Sequence, residues 1–174
     1  MSRSNPGKKK IKMAKRTILI YGEGLSEEIF LKLLRSIYSS DNDTYIKIRH
    51  GKGGSPLDIV SDAIKELGYF CKKIVVLDDD RKEIEKAIIK AEKYNIKIIK
   101  NQPCLEATLL MILQDKIQNN KTSAFFKKEF ETKYICKKKR CEISEYIKLF
   151  PKSLIEKARK KNEMLNNLIS IIEN

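Results

Sequence analysis

Lys73-Ile74-Val75-Val76-Leu77-Asp78-Asp79-Asp80-Arg81 drives an unbroken run of branched aliphatic residues directly into three consecutive carboxylates. A short, uniformly apolar run of this kind predicts a strand buried on both faces, the pattern of a parallel sheet covered by helices. In open α/β sheets the ligand crevice lies beyond the carboxyl ends of the strands, which is where the three acids fall. Strand alternation sends Asp78 and Asp80 to one side and Asp79 to the other. Two carboxylates held that close repel each other unless one takes a proton or a hard cation lies between them, and Mg²⁺ accepts oxygen ligands at about 2.1 Å. A solvated Asp-rich turn is the plain alternative.

A second strand of the same kind, Thr17-Ile18-Leu19-Ile20-Tyr21, runs into Gly22-Glu23-Gly24 and then Leu25-Ser26-Glu27-Glu28-Ile29-Phe30. Glycines flanking Glu23 permit unusual backbone angles and a close approach, presenting the glutamate at the strand tip. Ser26 is an N-cap candidate for a helix whose Ile29, Phe30, Leu33, Leu34 and Ile37 share one face. Glu27 and Glu28 lie in its first turn, where negative charge is favourable without any ligand. Glu27 is equally a ligand candidate.

These residues resemble the Toprim domain of topoisomerases, primases and OLD-type nucleases, and within it the small RloB-like proteins. Toprim domains pair a glutamate at the end of the first strand with an Asp-x-Asp at the end of a later one, matched here by Glu23 and by Asp78 and Asp80. The OLD-like motif Glu-Gly-x-[Ser/Thr]-Glu is matched by Glu23-Gly24-Leu25-Ser26-Glu27, and an RloB-like Asn-Pro-Cys-x-Glu stretch is echoed by Gln102-Pro103-Cys104-Leu105-Glu106. The chain departs from the pattern where the family has an aromatic before that glutamate and a tryptophan soon after it: here stand Leu105 and Thr108, and there is no tryptophan. The resemblance spans roughly Thr17 to Leu165. It implies a small standalone nuclease of the kind found among prokaryotic phage-defence and mobile-element genes, with Mg²⁺ or Mn²⁺ held by Glu23, Asp78 and Asp80, joined by Glu27 and Glu106.

The 174 residues suit one α/β domain of about four largely parallel strands, with a real core. The expected organisation is a flexible basic tail over 1–16, an α/β core over 17–113 and a helical C-terminal extension over 114–174. No apolar run approaches the roughly 20 residues of a membrane span, and the start lacks a signal-peptide core, so a cytoplasmic protein without membrane partners is expected. Cys71, Cys104, Cys136 and Cys141 are scattered, and reduced thiols are the default. With His50 the only histidine, a zinc site is disfavoured, and no Ser-His-Asp or Cys-His set can be assembled.

A net charge of +14 is what abundant lysine in an AT-rich coding sequence produces, and it is also an electrostatic footprint for nucleic acid. The charge is concentrated in Lys8, Lys9, Lys10, Lys12, Lys15 and Arg16, and again in Lys137, Lys138, Lys139 and Arg140. Acidic motifs in a basic protein suit a polyanion, DNA or RNA, brought to bound metal. Thr44 to His50 reads as a strand leading into Gly51-Lys52-Gly53-Gly54-Ser55, a loop whose amides and Lys52 suit a phosphate, with Pro56 at the first helical position. It matches no Walker motif. Helices are expected over Leu57 to Leu67 and Ile84 to Tyr94, and a short strand over Ile96 to Ile99 after the second of them.

Glu106 falls in an otherwise apolar stretch, Pro103 to Leu113, on the same sheet edge as Glu23 and Asp78. A carboxylate among buried residues needs a partner, either a metal or a cation such as Arg81. Beyond it lie a charged helix around Ser123 to Phe130, another over Ser144 to Phe150, and a long one from Ser153. In that last helix Leu154, Ile155, Ala158, Leu165, Leu168, Ile169 and Ile172 form a stripe for core packing or a homodimer contact. Two functions are compatible with these features. One is a metal-dependent endonuclease, with two ions about 4 Å apart if both sites fill; the other is a non-catalytic module that binds nucleic acid or a partner protein around a structural ion. Arg81, Lys52 and the basic cluster at 137–140 are the candidate phosphate contacts.

Overall fold

In the computed structural model, which describes residues 16–39, 43–114, 121–136 and 138–173, four strands form one open, all-parallel sheet in the order β2-β1-β3-β4. They are β1 (Arg16–Gly22), β2 (Thr44–His50), β3 (Lys72–Asp78) and β4 (Ile96–Asn101). The crossovers are α1 (Leu25–Tyr38), α2 (Pro56–Lys65) and α3 (Ile84–Lys93), followed by α4 (Leu105–Ile112), α5 (Ser123–Lys133), α6 (Ile143–Leu149), α7 (Lys152–Arg159) and α8 (Glu163–Glu173).

The two central strands alternate between two cores. Ile18, Ile20, Ile74 and Val76 face the core built with α1 and the C-terminal helices; Leu19, Tyr21, Val75 and Leu77 face the smaller core built with α2 and α3. Both faces being covered is why these strands read as continuous apolar runs. Parallel crossovers keep one hand, so α1, leading outward to β2, lies on one face, and α3, leading outward to β4, lies on the other. The chain therefore reverses direction between β1 and β3, and a crevice opens beyond their carboxyl ends.

The C-terminal helices share the larger core with the sheet. Phe150 meets Phe30 of α1 edge-on at 6.0 Å and lies within 6.4 Å of Phe130 and 5.8 Å of Tyr146. These rings fix α5 and α6 against α1. The expected long helix from Ser153 is two helices, broken where Asn162 Oδ1 accepts from Leu165 N at 2.8 Å to cap α8. Its apolar stripe is core: Ile155, Leu165, Leu168, Ile169 and Ile172 are buried. No helix among the described residues is long and apolar enough to cross a membrane. The tail over 1–15 and Lys137 lie outside the described residues, and Arg16, expected in the tail, is the first residue of β1.

Candidate functional site

Four carboxyl groups converge where β1 and β3 end. Asp78, the last residue of β3, is 2 % exposed and accepts from Leu105 N at 3.0 Å and Asn101 Nδ2 at 3.3 Å. It thus sits against the first amide of α4, where a helix stabilises negative charge. Glu23 follows β1; its Oε2 accepts from Asp78 N at 3.3 Å and its Oε1 pairs with Arg81 Nη2 at 2.8 Å. Glu27, buried in the first turn of α1, accepts from Gly24 N at 2.9 Å. Glu106, in the first turn of α4, has a buried Oε2 with no hydrogen-bond partner among the described residues.

The electrostatics are those of too much negative charge in too little water. Burial raises Asp78 above the usual carboxylate range, more than its hydrogen bonds and a neighbouring lysine lower it. Burial and then Asp78 raise Glu23 against the pull of Arg81, and burial raises Glu106. Glu27 is pushed up to about 7, first by burial and then by the charge of Asp78, with Glu106 and Glu23 adding to it. Desolvation and converging like charges both favour the protonated form.

Besides Arg81, a second cation answers them: Lys127, which the sequence places only within a charged helix. Its Nζ lies 3.6 Å from Asp78 Oδ2. Burial opposes its charge, but Glu106 and then Asp78 outweigh that and raise its pKa. Phe126 and Phe130 on the buried side of α5 carry it there, and nothing near Lys127 in the chain announces that destination. Cys104, Ser123 and Tyr146 complete the surroundings: the Cys104 thiol is pushed up to about 11 by burial, with the amide of Ala107 and the hydroxyl of Ser123 beside it. Tyr146 is raised by burial and then by Glu106, with Ser26 and Glu27 close by.

Several expectations change. β3 ends at Asp78, so strand alternation does not extend to Asp80, which is exposed and makes no hydrogen bond or ion pair among the described residues; Asp79 pairs with Lys100 at 2.7 Å. Arg81 serves Glu23 and not Glu106, and donates to Gly54 O at 2.9 Å, tying the glycine loop to the site. Lys52 in that loop is exposed; Lys138, Lys139 and Arg140 are exposed, with Arg140 paired to Glu131. The N-cap of α1 is Gly24, so Ser26 is inside the helix and Glu27 closes its end. Glu28 is buried beside Lys32 and His50; burial works against it, and those two hold it below the usual range.

Neither glycine flanking Glu23 has a positive φ; Gly22 is there for space, because a Cβ on it would lie 2.6 Å from Glu27 Cβ. Gly22→Ala must therefore push α1 off β1 and displace Glu27. We expect it to lower stability by about 1–3 kcal/mol, the usual cost of overpacking, whereas in Gly24→Ala the nearest atom is the mobile Glu27 Oε2 at 3.2 Å. Thermal melts of both variants check this; equal melting temperatures would remove the packing account of Gly22.

Among the described residues no three His, Cys, Asp or Glu side chains are already arranged to hold a metal ion. The donor set nevertheless suits a hard cation: Glu23, Glu27, Asp78 and Glu106 supply only oxygen, Arg81 and Lys127 face these four acids, and Glu106 Oε2 has no partner among the described residues. A cavity of about 790 Å³ lined by Arg16, Lys72 and Lys97 contains none of these acids; it opens at the strand starts, the opposite edge of the sheet.

A family model described as RloB-like protein matches residues 18–171 of the chain. Comparison with curated proteins returns no match, and neither does comparison with solved structures.

Proposed function

The chain belongs to the RloB-like family, and from that premise we propose that it is a metal-dependent nuclease of Toprim type, hydrolysing phosphodiester bonds in DNA or RNA. The observation that carries this reading is the meeting of Glu23, Glu27, Asp78 and Glu106 at the switch point of a parallel sheet, with raised pKa values and one oxygen unpartnered among the described residues, in a chain of net charge +14. Glu23 and Asp78 are the central ligands for Mg²⁺ or Mn²⁺, Glu106 and Glu27 flank them, and Asp80 stands at the exposed rim. A bound divalent ion supplies Lewis-acid stabilisation of the charge that develops on a phosphodiester.

The remaining roles belong to the protein. Asn101 and the Leu105 amide hold the Asp78 carboxylate in one orientation. Arg81 and Lys127, both with partly exposed side chains, offer positive charge to a phosphate arriving at the mouth. Lys52, Lys138, Lys139 and Arg140 supply sequence-independent attraction to the backbone of a polyanion.

One observation favours a non-catalytic module instead: Glu23 is tied to Arg81 and Asp78 lies against Lys127, so the acids are partly neutralised without metal. The deciding experiment is a gel assay of the full chain on labelled single-stranded and duplex DNA and RNA, with Mg²⁺, Mn²⁺ or EDTA. Cleavage confined to the metal lanes is expected. Retardation of substrate without cleavage under either metal would leave the binding module as the better account.

A further inference from the structure

The Lys127 ammonium stands beside Asp78 and within the electrostatic reach of Glu106, two of the carboxylates that the proposed function gives to a metal. Its contact with Asp78 Oδ2, at 3.6 Å, is beyond the 2.7–2.9 Å typical of a charge-assisted hydrogen bond. The lysine side chain is 47 % exposed while that of Asp78 is 2 % exposed, so the ammonium approaches from the solvent side and can leave without the core opening. Its backbone, by contrast, is fixed by the buried rings of Phe126 and Phe130. Lys127 also does not satisfy the whole cluster, because Glu106 Oε2 has no donor among the described residues. A single flexible point charge held loosely by several acids is a placeholder, not a locked ion pair.

We propose that Lys127 is a tethered cation that competes with a divalent ion for the Asp78 and Glu106 carboxylates, and so sets the metal affinity of the site. The ammonium and a divalent ion repel each other and share the same anions, so filling the site sends the lysine outward along its four-carbon stem. At the rim it meets the region where a phosphodiester arrives, and a phosphate that pairs with it removes the competitor. Metal and polyanion then each strengthen the binding of the other, as linkage requires. This rests on the metal-site reading above.

The test is calorimetric titration of Mn²⁺ into the full chain, as parent, Lys127→Gln and Lys127→Arg, alongside melts in EDTA. Removing the competing charge in Lys127→Gln is expected to tighten Mn²⁺ binding roughly tenfold or more, and to lower the metal-free melting temperature because the acids lose their counter-ion. Lys127→Arg keeps the charge and should bind like the parent. If the parent binds Mn²⁺ and Lys127→Gln binds it equally or more weakly, the competition is refuted while the metal site stands. If none of the three proteins binds Mn²⁺, the metal site itself fails and the competition with it.

Discussion

Asp78→Asn and Glu23→Gln are each expected to lower metal-dependent cleavage by roughly a thousandfold, the equivalent of about 4 kcal/mol of lost transition-state stabilisation, while nucleic-acid affinity measured in EDTA changes little. Affinity should survive because it comes from Lys52, the exposed basic residues at 138–140 and other lysines, and not from the acids. Folding should survive as well. The amide introduced by Asp78→Asn keeps an oxygen for Leu105 N, the 3.0 Å contact that orients this side chain, and the one introduced by Glu23→Gln keeps an oxygen for Asp78 N. Asp80→Asn is expected to lose less activity, because Asp80 is exposed and, among the described residues, no hydrogen bond holds it toward the cluster. Cleavage rates with Mg²⁺ and salt-titrated binding in EDTA of the three variants provide the check. A parallel collapse of binding and cleavage in Asp78→Asn would count against a catalytic role for the acids.

The parts of this site that are legible in the sequence are those fixed by local chemistry. Two apolar runs ending in acids mark β1 and β3, and their parallel pairing follows from burial on both faces. That pairing brings Glu23 and Asp78 together, and Glu106 joins them because β4 pairs with β3 and α4 begins directly after it. Lys127 is not legible. Its position depends on Phe130 stacking on Phe150 and Phe126 entering the same core, and periodicity marks such rings as core without saying against which element they rest. The same limit applies to Arg81, whose partner is decided by the turn after Asp78, and to Asp80, which strand alternation misplaces once the strand has ended. Gly22 suggests unusual backbone angles when only its neighbours in the chain are known, whereas the close approach of Glu27 Cβ explains it. The missing tryptophan is a related case. Leu105 and Thr108 are buried, and rings from α1, α5 and α6 supply aromatic packing from elsewhere in the chain.

In metal-free buffer the parent should become less stable as pH rises from about 5 to 8, and Glu27→Gln should remove most of that slope. Glu27 titrates near 4.5 when exposed and at about 7 in the fold, because burial and the neighbouring acids disfavour its charge. A carboxyl whose pKa is raised on folding binds its proton more tightly in the native state. Its contribution is therefore fully present below about 4.5 and is lost as pH rises through about 7. A difference of about 2.5 in pKa, at about 1.36 kcal/mol for each whole step, amounts to about 3 kcal/mol. Glu23, Asp78 and Glu106 are shifted in the same direction and steepen the fall. The side-chain amide of Glu27→Gln retains an oxygen for Gly24 N, so the helix end stays closed. At pH 8 in EDTA the variant should thus be the more stable protein, and near pH 5 the two should converge. Mg²⁺ should narrow that difference at about pH 8, because the charge that destabilises the empty cluster is what a cation binds. An ion that binds only the native state adds about 2.7 kcal/mol at a hundredfold excess over its Kd, and Glu27→Gln should forfeit part of that gain. Urea midpoints of both proteins at about pH 5 and pH 8, with EDTA and with Mg²⁺, measure each of these contributions. A parent whose midpoint is independent of pH in EDTA would show that Glu27 is not held under electrostatic stress, and its place among the metal ligands would lose its physical basis.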